Sequence, residues 1–267
     1  MRICGIALVV VVTGCASESP SPQPEPQARS RVDLRAAIHA DDAFAVGVAV
    51  SPDGERFVFD ESFGLYRVEG NEAVDVLPTY QLPISEVPVR LPYTDMVWTA
   101  PGVFALTAIG DGFLLDTGAM TLTQHFCYLP VGTPPDLIQQ TDAIAYDAEL
   151  DRIYAQPRTY DPSYNLVDSQ LAGYVGNSGE LMRWQQVGID IAAGGMAVLP
   201  DGSLVLGQGS RLDRYDLSDP QTYSTEPVVD LATLGVSSIQ GLAYDPKAGT
   251  LLVLDGERDE LVEIELE

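Results

Sequence analysis

Apolar residues recur along this chain in paired runs separated by tight polar turns. From Met196 to Leu217, MAVLPDGSLVLGQGSRLDRYDL reads as an apolar strand, a Pro-Asp-Gly turn, a second apolar strand, a polar loop and a third strand ending Tyr-Asp-Leu. Apolar runs flanking Asp201-Gly202 are a hairpin signal. A single three-stranded ribbon has no core of its own, so its meaning depends on whether the pattern returns.

It returns five times. Units begin VGVAVSPDGERFVF at Val46, TDMVWTAPGVFALT at Thr94, DAIAYDAELDRIYA at Asp142, GGMAVLPDGSLVLG at Gly194 and QGLAYDPKAGTLLVLD at Gln240. Aligning Val48, Met96, Ile144, Met196 and Leu242 gives a period of about 46 to 52 residues. A turn falls at the same place in each: Pro52-Asp53-Gly54, Pro101-Gly102, Glu149 to Asp151, Pro200-Asp201-Gly202 and Pro246 to Gly249. Third strands follow as GLYRVE, GFLLDT, ELMRWQ, LDRYDL and ELVEIEL, and stretches such as EPVVDLATL suit a fourth, outer strand.

Four antiparallel strands repeated at this period predict an all-β protein, a β-propeller of five four-stranded blades. Six blades stay open if the long third unit conceals one, and a β-sandwich gives no reason to repeat one turn five times. The inner strands are almost wholly apolar because neighbouring blades cover both their faces. The last unit stops after its third strand, while Arg31-Val32-Asp33-Leu34 resembles the fourth-strand sequence Val228-Val229-Asp230-Leu231. An N-terminal strand is therefore expected to complete the last blade and close the ring, hiding two sheet edges. The Pro-Asp-Gly turns and Gly241 to Pro246 (GLAYDP) resemble the NHL and gluconolactonase-like propeller superfamily.

The chain opens MRICGIALVVVVTGC, with Arg2 ahead of an apolar run too short to span a bilayer, as in an export signal. Val12-Thr13-Gly14-Cys15 resembles the bacterial lipobox. That resemblance implies cleavage before Cys15, lipidation of its thiol and a membrane anchor; Ala16 after it implies transfer to the outer membrane. ASESPSPQPEPQARS follows, with too few apolar residues to pack, so it reads as an extended tether. The expected organisation is a signal peptide at 1–14, a tether at 15–30 and the propeller at 31–267. With Cys4 removed and Cys15 lipidated, Cys127 stands alone, and packing rather than a disulfide must hold the domain.

Charge narrows the partners. The formal net charge is −25, and Lys247 is the only lysine among 14 basic residues. Such a surface repels nucleic acid and attracts divalent cations. In a propeller, the loops leading into each first strand and those joining strands two and three share one face, where a ligand-binding set of Asp95, Asp142, Arg158, Arg211, Gln240 and Asp255 is expected. Asp95 and Asp142 are the candidate metal ligands, for Ca²⁺, which favours carboxylates. The stretch from Gln156 to Gly179 reads as a long recognition loop presenting Tyr160, Tyr164 and Tyr174. His125 and Cys127 lie two apart on an outer strand, too few ligands for zinc.

Gluconolactonase-like enzymes hold one metal with Glu, Asn and Asp near the channel. Here the aligned positions are Val46, Thr94, Asp142, Gly194 and Gln240, without that Glu or the Asn pair. No P-loop, dinucleotide fingerprint or Gly-x-Ser-x-Gly elbow is present. The sequence favours a lipid-anchored envelope propeller that binds a protein or small ligand without catalysis. The alternative is a metal-dependent hydrolase of the lactonase or esterase kind.

Overall fold

Four of the five repeated units each form an antiparallel sheet of four strands, the fifth supplies three strands and takes its fourth from the N-terminal segment, and the five sheets make a five-bladed propeller. The structure, a computed structural model, describes residues 26–41, 43–60, 64–78, 93–108, 111–127, 137–176, 178–179, 181–186, 194–217 and 226–265. Residues 1–25, which include the expected signal sequence, Cys15 and most of the expected tether, lie outside the described residues.

The chain starts with β1 (Gln27–Asp33) and a short helix α1 (Leu34–Ile38). Blade 1 contains β2 (Ala45–Val50), β3 (Arg56–Asp60), β4 (Gly64–Glu69) and β5 (Glu72–Pro78). Blade 2 contains β6 (Tyr93–Ala100), β7 (Val103–Ala108), β8 (Asp111–Asp116) and β9 (Thr121–Cys127). Blade 3 contains β10 (Ile138–Asp147), β11 (Arg152–Tyr160), β12 (Leu166–Val175) and β13 (Leu181–Gln186). Blade 4 contains β14 (Gly195–Val198), β15 (Leu204–Gln208), β16 (Arg211–Tyr215) and β17 (Glu226–Asp230). Blade 5 contains β18 (Ile239–Asp245), β19 (Thr250–Asp255) and β20 (Glu260–Glu265). The long third unit builds one blade with long strands, which removes the six-bladed alternative; the stretch ELMRWQ, expected as its third strand, is the fourth, because Leu166–Val175, expected in a loop, is the third.

Blade 5 is completed by β1, in the order β1-β20-β19-β18. Gln27 pairs with Glu265 and Asp33 with Glu260, so the clasp opens four residues before Arg31. Residues 27–30, expected in the tether, are strand instead. They are polar, but β1 is an outer strand, and its register needs an apolar contact only at Val32, the one buried position of the seven. Arg31 pairs with Glu260 at 2.6 Å, and Ser30 donates to Glu263 at 2.9 Å.

The likeness of Val32-Asp33-Leu34 to Val229-Asp230-Leu231 has a structural cause. Both strands end in an Asp whose side chain caps a helical turn, accepting from Ala36 in one case and Ala232 in the other. Both turns bury their leading Leu completely and close on a left-handed residue, His39 or Gly235. The Leu34 amide donates to the Asp259 carbonyl and the Leu231 amide to the Ser210 carbonyl, each at 2.8 Å, so the two connections dock alike.

The apolar residues form five clusters, one between each pair of neighbouring blades. Val32, Leu34 and Ala37 from the clasp join the cluster between blades 5 and 1. Near the axis the inner strands come into backbone contact. A Cβ at Gly195 would sit 2.6 Å from the Leu242 amide nitrogen, and one at Gly47 2.6 Å from that of Met96. Glycine is required at both places because only a bare backbone admits so close a neighbour. These contacts tighten the ring at the Val48, Met96, Ile144, Met196 and Leu242 level.

Candidate functional site

On the lead-in face, the predicted residues form ring-holding bonds rather than a cluster around the axis. Asp95 is the chief correction. Its carboxylate is 1% exposed and accepts from the Met96 amide at 2.8 Å and from the Ile144 amide, in the next blade, at 2.9 Å. Asp95 occupies the position of Gly47 in blade 1 and Gly195 in blade 4, where neighbouring backbones touch directly. Burial raises its pKa well above the ordinary carboxylate value, against the pull of the two amide bonds. Each oxygen meets a backbone donor, so Asp95 fastens blade 2 to blade 3. Asp142 lies one step out of phase, within the bulge where β10 and β11 lose register. Asp142 is ion-paired with Arg158.

Arg158 is largely buried, which lowers its pKa, and its guanidinium stacks 5.2 Å from the centre of the Tyr160 ring. Tyr160 is the last residue of β11 and not part of a loop. Nine and ten residues long, β11 and β12 carry blade 3 outward as an extended hairpin. Its turn is held by Asp161, which accepts from the amides of Ser163 and Asn165 at 2.8 and 2.9 Å. Only Tyr164, at the tip with φ 61°, is exposed, at 68%. Tyr174 lies at the other end of β12, 1% exposed in the core between blades 2 and 3. The three tyrosines therefore share no binding surface.

Two further predicted residues also support the fold. Asp255, fully buried, accepts from the amides of Ser237 and Ser238 at 3.1 and 3.3 Å and fixes the approach to β18. Gln240 is bulged out of register and its side chain covers Gly256. Arg211 is exposed and pairs with Asp213 at 2.7 Å within its own strand. His125 lies on outer strand β9, with Nε2 2.7 Å from the Gly176 carbonyl oxygen of blade 3. Among the described residues no group of three or more His, Cys, Asp or Glu is placed to hold a metal.

The open space lies at the other end of the axis. A cavity of about 320 Å³ opens on the turn face, lined by residues of all five inner strands and the turns that follow them. Its floor includes Val48, Met196 and Leu242, at the level where the ring tightens. One residue further along each strand come Ala49, Val97, Ala145, Ala197 and Ala243, four of them small enough to leave room. The next position gives the rim: Val50, Trp98, Tyr146, Val198 and Tyr244. The Ser51 and Leu199 amides bond to their partner strands at 2.9 and 2.8 Å. Antiparallel alternation therefore turns the amides and carbonyls of Val50 and Val198 to the free edge that faces the axis.

Polar side chains enter this cavity only at the mouth. Tyr146 donates to Asp151 at 3.0 Å, and its pKa is pushed up to about 12 by burial first and then by the hydrogen bond to Asp151. Asp147 is 7% exposed and holds the turn by accepting from the amides of Glu149 and Leu150 at 2.9 and 3.0 Å. Glu149 is exposed on that turn.

No protein-family model matches the chain, and no curated protein matches it by sequence. Solved structures do resemble it. Glutaminyl cyclase from Myxococcus xanthus is 14% identical, with a TM-score of 0.56 over 91% of this chain and 96% of that one. The fold is shared. A chain of the mitotic checkpoint complex, 10% identical, superposes more loosely, with a TM-score of 0.47 over 99% of this chain and 98% of that one.

The rim residues escaped the sequence reading although the alignment contains them. That reading took the residues leading into each strand, on the face where propeller loops are longest. Moving two to four residues along the same alignment reaches Trp98, Tyr146 and Tyr244, with three aromatics at five equivalent positions as the signal.

Proposed function

We propose that this chain is a lipid-anchored propeller of the bacterial cell envelope, carried to the outer membrane, that binds a small ligand in the turn-face cavity without transforming it. The axial cavity carries the reading. It has apolar walls, free strand edges and a few polar groups at its mouth, the usual composition of a ligand pocket. The Pro-Asp-Gly turns support kinship with NHL and gluconolactonase-like propellers, and Val12-Thr13-Gly14-Cys15 supports the anchor.

The direction of β1 supports an orientation. Gln27 pairs with Glu265, Glu265 with Thr250 and Thr250 with Asp245, beside the cavity-lining Pro246. The chain thus joins the ring on the face that carries the mouth. Residues 15–26 reach at most about 43 Å when extended. The tether therefore leaves the ring from the mouth's side and keeps it within about 43 Å of the membrane that holds Cys15. Replacing Cys15 by Ser is expected to leave an unprocessed precursor that no longer partitions with detergent as a lipoprotein. Unchanged processing and partitioning contradict the anchor.

Ligand retention tests the cavity. The full chain, purified from membranes and extracted with organic solvent, is expected to yield a small molecule by mass spectrometry. Ala243→Phe, which puts a ring at the level where small residues leave room, is expected to lose it. Extracts of the two proteins that do not differ would overturn the reading. A second reading, catalysis at the same mouth, draws support from Asp147 and Glu149, two carboxylates at the rim of a fold shared with a glutaminyl cyclase. Turnover of lactones or N-terminal glutaminyl peptides, abolished in Glu149→Gln, would favour it.

A further inference from the structure

We propose that the turn-face cavity selects a small organic cation on an apolar body, a quaternary ammonium or a protonated amine. This rests on the ligand-binding reading above and names the ligand class. The first ground is charge: two carboxylates, Asp147 and Glu149, line the cavity, and among the described residues no Lys, Arg or His does. On a chain of net charge −25, that mouth repels anions before they arrive.

The second ground is the aromatic rim. Trp98, Tyr146 and Tyr244 take three of five equivalent positions around one axis. Aromatic faces attract a cation through their quadrupole, most strongly where water is excluded. Tyr146 donates its hydroxyl proton to Asp151, so its ring enters this set as a neutral phenol. The third ground is the wall. Below the rim the side chains are Ala, Val, Leu and Met, which suit the apolar body of a ligand.

Size separates an organic cation from a metal ion. Calcium needs six to eight oxygen ligands. The lining supplies two carboxylates, one of them holding its own turn, and the edge carbonyls of Val50 and Val198 on different blades, short of such a shell and set against aliphatic walls. A bulky ammonium ion holds its water loosely and needs no such shell. The volume, about 320 Å³, lies at the small end of the roughly 300–1,000 Å³ range of ligand pockets.

The test uses Trp98 as reporter. The protein has two tryptophans, so Trp184→Phe in the full chain leaves Trp98 as the single emitter. This protein, in dodecyl maltoside micelles, is titrated separately with benzyltrimethylammonium, benzyl alcohol and benzoate. Benzyltrimethylammonium is expected to quench Trp98 with an affinity about tenfold above that of benzyl alcohol, and benzoate to give no change. Glu149→Gln, an exposed substitution that does not touch the core, is expected to weaken the cation several-fold and leave the alcohol unaffected. Equal affinity for cation and alcohol overturns the proposed class and leaves an apolar ligand site standing. Quenching by none of the three also overturns it, and the extraction experiment then decides separately whether the cavity holds any ligand.

Discussion

The two ends of the axis differ in what lines them. On the lead-in face, Asp95, Asp255 and Asp142 are turned inward and bonded to amides or to Arg158, and each ties one segment of the ring to another. At the turn-face end the equivalent depth beside the axis is lined by alanine; the buried carboxylates there, Asp147 and Asp245, are bonded to turn amides and Asp245 also to Arg56 of blade 1, and Glu149 is the carboxylate left exposed at the mouth. A buried carboxylate without donors is costly, so a carboxylate deep in a propeller is bonded, and a bonded carboxylate has little capacity left for a ligand. Charge in a sequence therefore marks where the ring is fastened. Small residues mark where it is open.

The largest expected effect erases that contrast. Deleting residues 27–38 removes β1, which spans both faces, and withdraws Val32, Leu34 and Ala37 from the core between blades 5 and 1. Loss of one such buried leucine alone costs about 2–5 kcal/mol. The truncated chain is expected to lose its cooperative melting transition, while deletion of residues 17–24 leaves the melting temperature unchanged. Equal melting temperatures for the two deletions would refute the clasp.

Asp95→Ala comes next and sharpens the contrast. It leaves the buried amides of Met96 and Ile144 without acceptors, at about 1–3 kcal/mol each. Glu149→Gln at the cavity mouth is expected to change stability by less than about 0.5 kcal/mol, as exposed substitutions do. Urea denaturation measures both. Similar losses would mean that the two faces are built alike.

Asp95 also predicts a pH dependence. Its folded pKa is raised, so the folded state keeps the proton to higher pH than the unfolded chain. The stability linked to that proton is complete below about pH 3.9, the ordinary Asp value, and is lost as pH rises through the folded pKa. Wild type is expected to lose stability relative to Asp95→Asn as pH climbs above about 4. A difference that does not vary with pH would contradict a raised pKa.

How far the sequence carried the argument depends on what kind of contact was at issue. Strand, turn and clasp positions were legible because they repeat: Pro52-Asp53-Gly54 and Pro200-Asp201-Gly202 mark the same turn, and Val32-Asp33-Leu34 matches Val229-Asp230-Leu231. The role of Asp95 was not legible. Its partner, the Ile144 amide, lies 49 residues away in the next blade, and an alignment within blades is silent on contacts between them. The extended hairpin of blade 3 was read as a loop because no other unit has a counterpart, although Asp161-Pro162-Ser163 is a turn flanked by Thr and Tyr. Along the sequence, nothing separates Trp98, Tyr146 and Tyr244 from the other apolar residues of the inner strands. Only the closing of five strands around one axis makes them neighbours.

The smallest structural effect concerns the ion pairs of the lead-in face. Arg158→Met breaks a largely buried pair with Asp142 and is expected to cost about 1–3 kcal/mol. Arg211→Ala removes an exposed pair with Asp213, and its melting temperature is expected to match wild type. The opposite ranking would place the important charge at the surface.

The central claim is that ligands enter by the turn face. One measurement tests it directly: ligand retention, by solvent extraction and mass spectrometry, in two full-chain variants that alter opposite ends of the axis. Ala243→Phe is expected to abolish retention, and Asp142→Asn with Arg158→Met to preserve it. Retention lost in the second variant and kept in the first would return the site to the lead-in face and contradict the account.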